Sequence, residues 1–151
     1  MGPNVNAFEK DLEAFANSKN DGTEPLDRKV VCLSAGTAAV HLGLLASGVG
    51  PSDEVCVQSF TFCASSHPIT YLGATPVFID SEPDSWNMDP ELLEKAIIDR
   101  KEKTGKYPKA IVPVALYGMP YDCDKIMAIS EKYGIPVVED AAEGCGSRWK
   151  G

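Results

Sequence analysis

At 151 residues the chain has the size of one domain with one core, and 44% apolar with 24% charged residues is ordinary for a folded globular protein. A formal net charge of −8 argues against nucleic acid and anionic membrane surfaces as general partners, without opposing a phosphorylated ligand held by local backbone amides. Five cysteines without metal-ligand spacing read as buried, reduced thiols, and no signal peptide or bilayer-length apolar run is visible, so a cytoplasmic protein is expected.

In chain order, the first element is a helix with Asn6 as its cap and Glu9 reaching back as in a capping box. Phe8, Leu12 and Phe15 share one face, which predicts packing against another element. Residues 18–26, with Gly22 and Pro25, read as a polar turn. From Lys29 the pattern alternates. Strands are expected at 30–33, 54–58, 76–79, 110–114 and 136–139, and helices at 37–46, 63–71, 90–101 and 122–133. Gly48 and Gly50-Pro51 stop the second helix of the chain, and Asp89-Pro90 supplies a cap followed by proline at the first helical position. Pro68 interrupts 63–71 unless that helix starts later. Residues 101–109 read as an exposed lysine-rich loop. Such alternation means βαβ units and an α/β fold with a mostly parallel sheet flanked by helices.

Three strand ends carry chemistry. The run 138–144 (VEDAAEG) places Asp140 at the carboxyl end of an apolar strand, where open α/β sheets hold ligands. A carboxylate there can pair with a protonated ring nitrogen; equally, it can cap the next element or pair with a surface arginine. Residues 34–39 (SAGTAA) open a helix with small side chains, exposing amides where the helix dipole favours an anion, and the alternative is an ordinary tight turn. Phe60 and Phe62 follow the second strand, where an aromatic ring stacks on a flat heterocycle or simply fills the core. Together these are the fittings for a flat, phosphorylated, nitrogen-containing ring. A dinucleotide reading is weakened because GxGxxG is missing and Gln58-Ser59 stand where an acidic residue is needed. His41, His67 and Trp86 read as structural, with Trp86 also open to a substrate-facing part; Asp80, Glu82 and Asp84 read as a solvated turn.

The ordered set 34–39 (SAGTAA), 58–62 (QSFTF), 73–80 (GATPVFID), 87–93 (NMDPELL), 113–118 (PVALYG) and 138–143 (VEDAAE) resembles the DegT/DnrJ/EryC1/StrS sugar aminotransferases. The resemblance implies part of the large cofactor domain of fold type I pyridoxal phosphate enzymes. Residues 1–28 would then form an N-terminal helix and connection, residues 29–151 part of that domain, with the smaller C-terminal domain absent. It further implies pyridoxal 5'-phosphate held at its phosphate by Gly36, Thr37 and Ala38, stacked on Phe62 and paired through its ring nitrogen with Asp140. Glu143 would lie by the ring hydroxyl, where relatives often carry Gln or His. The implied reaction moves an amino group from glutamate to a keto group, of the 4-keto UDP-N-acetyl type, on a nucleotide-linked sugar for surface polysaccharide or glycan synthesis. Full-length relatives would be homodimers. None of the chain's lysines matches the family's Schiff-base lysine, so the chain alone is expected to be inactive. A non-catalytic family member or partner subunit is the alternative.

Overall fold

A computed structural model describes residues 2–18 and 27–150, so most of the expected turn at 18–26 lies outside the described residues. The chain falls into two compact units, residues 1–34 and 35–151.

In the first unit, α1 spans Pro3–Ala16. Its cap is Gly2, with proline in the first turn, so the expected capping box at Asn6 does not form: Asn6 lies inside the helix. Glu9 and Glu13 serve a different purpose. Their carboxylates accept the backbone N–H of Cys32 (2.8 Å) and of Val30 (3.1 Å). Residues 30–33, expected as a strand, are therefore not one, because side-chain oxygens replace the neighbouring strand and Val31 is left 67% exposed. The predicted burial of Phe8 and Phe15 is likewise not met, as both rings are more than half exposed.

The second unit carries α2 (Gly36–Ala46), β1 (Glu54–Gln58), α3 (His67–Tyr71), β2 (Thr75–Ile79), α4 (Pro90–Thr104), β3 (Ala110–Val112) and α5 (Cys123–Tyr133). The sheet order is β2-β1-β3, all parallel, with Val55 opposite both Pro76 and Ala110. Residues 136–140 continue it beyond β3 through two parallel bridges, Ile111 with Val137 and Val114 with Asp140. Pro136 contributes a carbonyl, accepting from Ile111 N–H at 3.0 Å, and Val138 and Asp140 donate in return to Ile111 and Pro113.

Strand alternation builds two cores, one on each face of the sheet. Val55, Val57, Ala110 and Val112 pack with Val40, Leu44 and Ile69 from α2 and α3. Cys56 and Ile111 point the other way, into Leu93 and Ile97 of α4 and Ile126 and Ile129 of α5. α2 approaches the last strand-like segment closely: a Cβ added at Gly43 would lie 2.9 Å from Cγ1 of Val138.

Local signals explain the helix ends. Asp89 accepts the N–H of Glu91 (2.7 Å) and Leu92 (3.1 Å), and Asp122 accepts that of Lys125 (3.1 Å). α4 runs beyond the expected end at 101 to Thr104, stopping where Gly105 takes φ 76°; only the remainder of 101–109 is loop. Residues 63–71 divide into a short 3-10 turn and α3, so Pro68 sits in the first turn, where a missing N–H costs nothing. The cysteines do not share one environment. Cys56 is buried, which lifts its thiol pKa to about 12, whereas Cys63 and Cys145 are exposed, contrary to the expectation of buried thiols.

The two cap assignments predict opposite outcomes. Asp89→Ala should cost about 1 kcal/mol in urea unfolding, while Asn6→Ala, inside the helix on an exposed surface, should be neutral or slightly stabilising.

Candidate functional site

Asp140 ends the sheet segment that pairs with Val114, and its side chain is fixed from two sides. Ser65 Oγ donates to Oδ2 at 2.7 Å and the Ala142 N–H donates to Oδ1 at 3.1 Å. Because Ser65 spends its single proton on Asp140, the 2.8 Å contact with Thr61 is a bond donated by the Thr61 hydroxyl. Ser65 is fully buried in the turn that precedes α3, so the carboxylate is tied to a rigid part of the fold. Sequence reasoning missed this serine. Its only signal is a small polar residue three positions beyond Phe62, which becomes meaningful once residues 65 and 140 are seen to meet.

Asp140, Phe62 and Glu143 line one cavity of about 440 Å³, together with Phe60, Tyr117 and Ala142. Phe62 presents a ring 77% exposed, as a stacking surface would be and a core residue would not. Glu143 Oε2 accepts the N–H of Tyr117 at 2.5 Å. Tyr117 holds φ 52°, a conformation that costs a non-glycine residue about 1 kcal/mol or more and is sustained by that bond. Gly118 and Ser147 add a second tie between the same two loops, the Ser147 hydroxyl donating to the Gly118 carbonyl at 2.6 Å. Gly144 is required in this arrangement, since a Cβ there would come within 2.6 Å of the Ala115 Cβ.

Gly36, Thr37 and Ala38 form the first turn of α2 and are not among the residues lining that cavity. The helix has no side-chain cap, a Cβ added at Gly36 would meet nothing within 4 Å, and the Ala38 N–H is already bonded to the Ala35 carbonyl at 3.0 Å. Among the described residues, the amides of Gly36 and Thr37 are the open donors of this turn.

Beneath the cavity lies a polar network that sequence reasoning also missed. Gln58, fully buried at the end of β1, accepts from Met88 N–H (2.9 Å) and Val114 N–H (3.4 Å) and donates to the Phe60 carbonyl (2.9 Å). Its amide also reaches Asn87 Oδ1 at 3.5 Å, and Asn87, buried too, accepts from Leu116 N–H and donates to the Met119 carbonyl. The visible signal was a glutamine closing an apolar strand.

An acidic group at a strand's carboxyl end, an exposed ring beside it and a glycine-opened helix mark a candidate ligand site on an α/β domain. The family model for DegT/DnrJ/EryC1/StrS aminotransferases matches residues 1–151, and the chain belongs to that family. It is 44% identical over 151 residues to EpsN of Bacillus subtilis, covering 100% of this chain and 36% of EpsN. It is 42% identical over 153 residues to the UDP-2-acetamido-2-deoxy-3-oxo-D-glucuronate aminotransferase of Pseudomonas aeruginosa, covering 100% of this chain and 38% of that protein. The solved structure of Spr1654 from Streptococcus pneumoniae in its PLP form superposes with a TM-score of 0.82 at 33% identity, over 100% of this chain and 38% of that one. The chain thus spans little more than a third of the length of the curated relatives it matches. Pyridoxal phosphate is the cofactor of this family, and the three-stranded parallel sheet with its helices corresponds to part of its fold. No helix among the described residues is long and apolar enough to cross a membrane.

Beside Asp140, the Glu139 carboxyl is held above its ordinary pKa, first by partial desolvation and then by the Asp140 charge, although the residue keeps solvent on one side. A raised folded-state value means that folding favours the protonated form. The stabilising contribution is complete below the ordinary glutamate range and is lost as pH rises through the raised value. Glu139→Gln should therefore raise the urea midpoint relative to the unmodified chain at pH 7 and leave it unchanged below about pH 4.

Proposed function

We propose that this chain supplies the cofactor-binding face of a pyridoxal phosphate-dependent sugar aminotransferase, with residues 29–151 forming part of its cofactor domain. The observation that carries the reading is Asp140, fixed by Ser65 at a strand end and facing the same cavity as the exposed Phe62 ring. The residues fit the group. Bound pyridoxal phosphate supplies an electron-withdrawing ring that carries an amino group between donor and acceptor. Asp140 keeps a proton on the ring nitrogen, because a carboxylate already anchored by two donors stays in place to receive a third. Phe62 covers one face of the ring and excludes water from it. The open amides of Gly36 and Thr37, with the Thr37 hydroxyl, hold the phosphate at the start of α2; Ala38 contributes its small side chain. Glu143 keeps the Tyr117 loop against the cavity, since its carboxylate is engaged by the Tyr117 amide.

The reaction we assign is transfer from glutamate to a keto group of a nucleotide-linked sugar, in the cytoplasm, by a homodimeric whole protein. The Pseudomonas relative's UDP-linked 3-oxo sugar acid supports the nucleotide-sugar class. That relative's sugar carries its keto group at carbon 3, and assays with 3-keto and 4-keto nucleotide sugars distinguish it from the 4-keto type assigned by resemblance. We assign the isolated chain cofactor binding without turnover, because none of its lysines matches the family's Schiff-base lysine.

Titration of the purified chain with pyridoxal phosphate, followed by visible absorption, borohydride reduction and mass spectrometry, tests the assignment. Saturable binding without a uniquely modified lysine is expected. Asp140→Asn should weaken it about ten-fold or more, the worth of a charge-assisted hydrogen bond. Failure to bind, or binding indifferent to both Asp140→Asn and Phe62→Ala, would overturn the site; one specifically modified lysine would overturn the inactivity.

A further inference from the structure

Phe60 belongs to two cavities. One is the cavity of Asp140; the other, about 560 Å³, is bounded by Phe60, Ser59, Asp80, Ser81, Glu82 and Trp86 among others. Trp86 stands at its edge with φ 64°, 61% exposed, and touches Phe60 edge-on at 5.9 Å between ring centroids. Phe60 in turn meets Tyr117 edge-on at 6.4 Å, so three aromatic rings run from one cavity into the other. The loop that carries Trp86 is closed by an antiparallel bridge between Ser81 and Met88 and by the Glu82 N–H donating to the Asn87 carbonyl at 2.9 Å. The tryptophan is held outward by a rigid frame.

The polar groups of this cavity accept more than they donate. Asp80 uses Oδ1 for the Ser81 N–H at 2.8 Å, and among the described residues Oδ2 has no partner. The Glu82 carboxylate is spent inside the loop, on the amides of Asp84 and Ser85 and on the Ser85 hydroxyl. Ser81 Oγ is buried with no hydrogen-bond partner, alone in this among the buried side-chain polar atoms of the described residues. Among the described residues, no lysine or arginine lines the space. A phosphate would meet two carboxylates and no counter-charge, which excludes it on electrostatic grounds. A ring with one apolar face and several hydroxyl donors meets what is there: an exposed indole and a carboxylate that can only accept.

We propose that this second cavity is a subsite for an uncharged pyranose, its C–H face stacked on Trp86 and a ring hydroxyl donating to Asp80. The proposal rests on the sugar aminotransferase reading for the choice of sugar, and it places the sugar ring, not the diphosphate, on the Trp86 side of Phe60.

The test uses the purified 151-residue chain with Trp149→Phe, leaving Trp86 as the one indole. N-acetylglucosamine and methyl glucoside should change Trp86 emission saturably and give saturation-transfer signals by proton NMR. Trp86→Gly, which retains the left-handed backbone, should abolish the transfer signal, and Asp80→Ala should do the same through a residue outside the aromatic row. Inorganic phosphate and uridine monophosphate should not displace the sugar. Sugar signals that survive both substitutions, an absent response, or a response to uridine monophosphate in place of the sugars would overturn the subsite. Titrating the same samples with pyridoxal phosphate separates the two readings. Cofactor binding without a sugar response removes only the subsite, while a Trp86-dependent sugar response without cofactor binding removes only the aminotransferase assignment.

Discussion

The side-chain amide of Gln58 holds together the parts from which both cavities are made. It sits without solvent at the end of the central strand, two N–H donors arriving at its oxygen and two acceptors taking its nitrogen's hydrogens. That is its full capacity, so burial leaves nothing unsatisfied. Through it β1 is fastened to the loop of residues 80–89 and to the segment after β3. An apolar replacement of the same size would keep the packing yet strand the amides of Met88 and Val114, each a buried donor worth about 1–3 kcal/mol when unpaired. Asn87 extends the same logic to Leu116 and Met119. The site is thus supported from below by two neutral amides that a net charge of −8 neither reveals nor disturbs.

What could be read from sequence was what depends on neighbours in the chain. Asp89-Pro90 announced α4 because a cap and its amides lie within three residues, and β1 was bounded at both ends because the apolar run Val55–Val57 lies between Glu54 and Gln58. Residues 30–33 have the same local appearance as a strand, but pairing is a tertiary property, and the partners of Val30 and Cys32 turned out to be glutamates of α1. Asn6 and Glu9 had the spacing of a capping box, but the helix begins earlier, at Pro3, and the Glu9 carboxylate is engaged by the Cys32 amide. At the site, Asp140 could be named from its position after a strand, Phe62 only as one of two rings after another until the family resemblance singled it out, and Glu143 only through that resemblance; all three line one cavity. Ser65 could not, being 75 residues from the carboxylate it holds. Nor could the linkage of Phe60 to Trp86, which needs a chain reversal that brings residues 60 and 86 side by side.

Two loops, residues 115–119 and 143–147, share a wall of the cavity beside Asp140 and are stitched by three separate devices: a carboxylate on an amide, a hydroxyl on a carbonyl, and a glycine pressed against an alanine. Each tolerates little variation in distance. Tyr117 remains in its left-handed conformation because both sides of this seam are fixed, and its ring stays 78% exposed at the cavity mouth. Rigidity here comes from backbone ties, leaving the side chains at the mouth to face what enters.

Val138 lies two residues before Asp140, and Gly43 leaves barely enough space for it. The spacing between helix and strand is therefore set by the absence of a single methyl group on α2. Widening that gap would carry the carboxylate outward with the strand, against a serine that does not move with it. A position with no side chain thus acts as a gauge for how far the end of the Asp140 segment stands from α2. Chains that differ at residue 43 would be expected to differ in how deeply a ring can sit above residue 140, even with every polar contact residue unchanged.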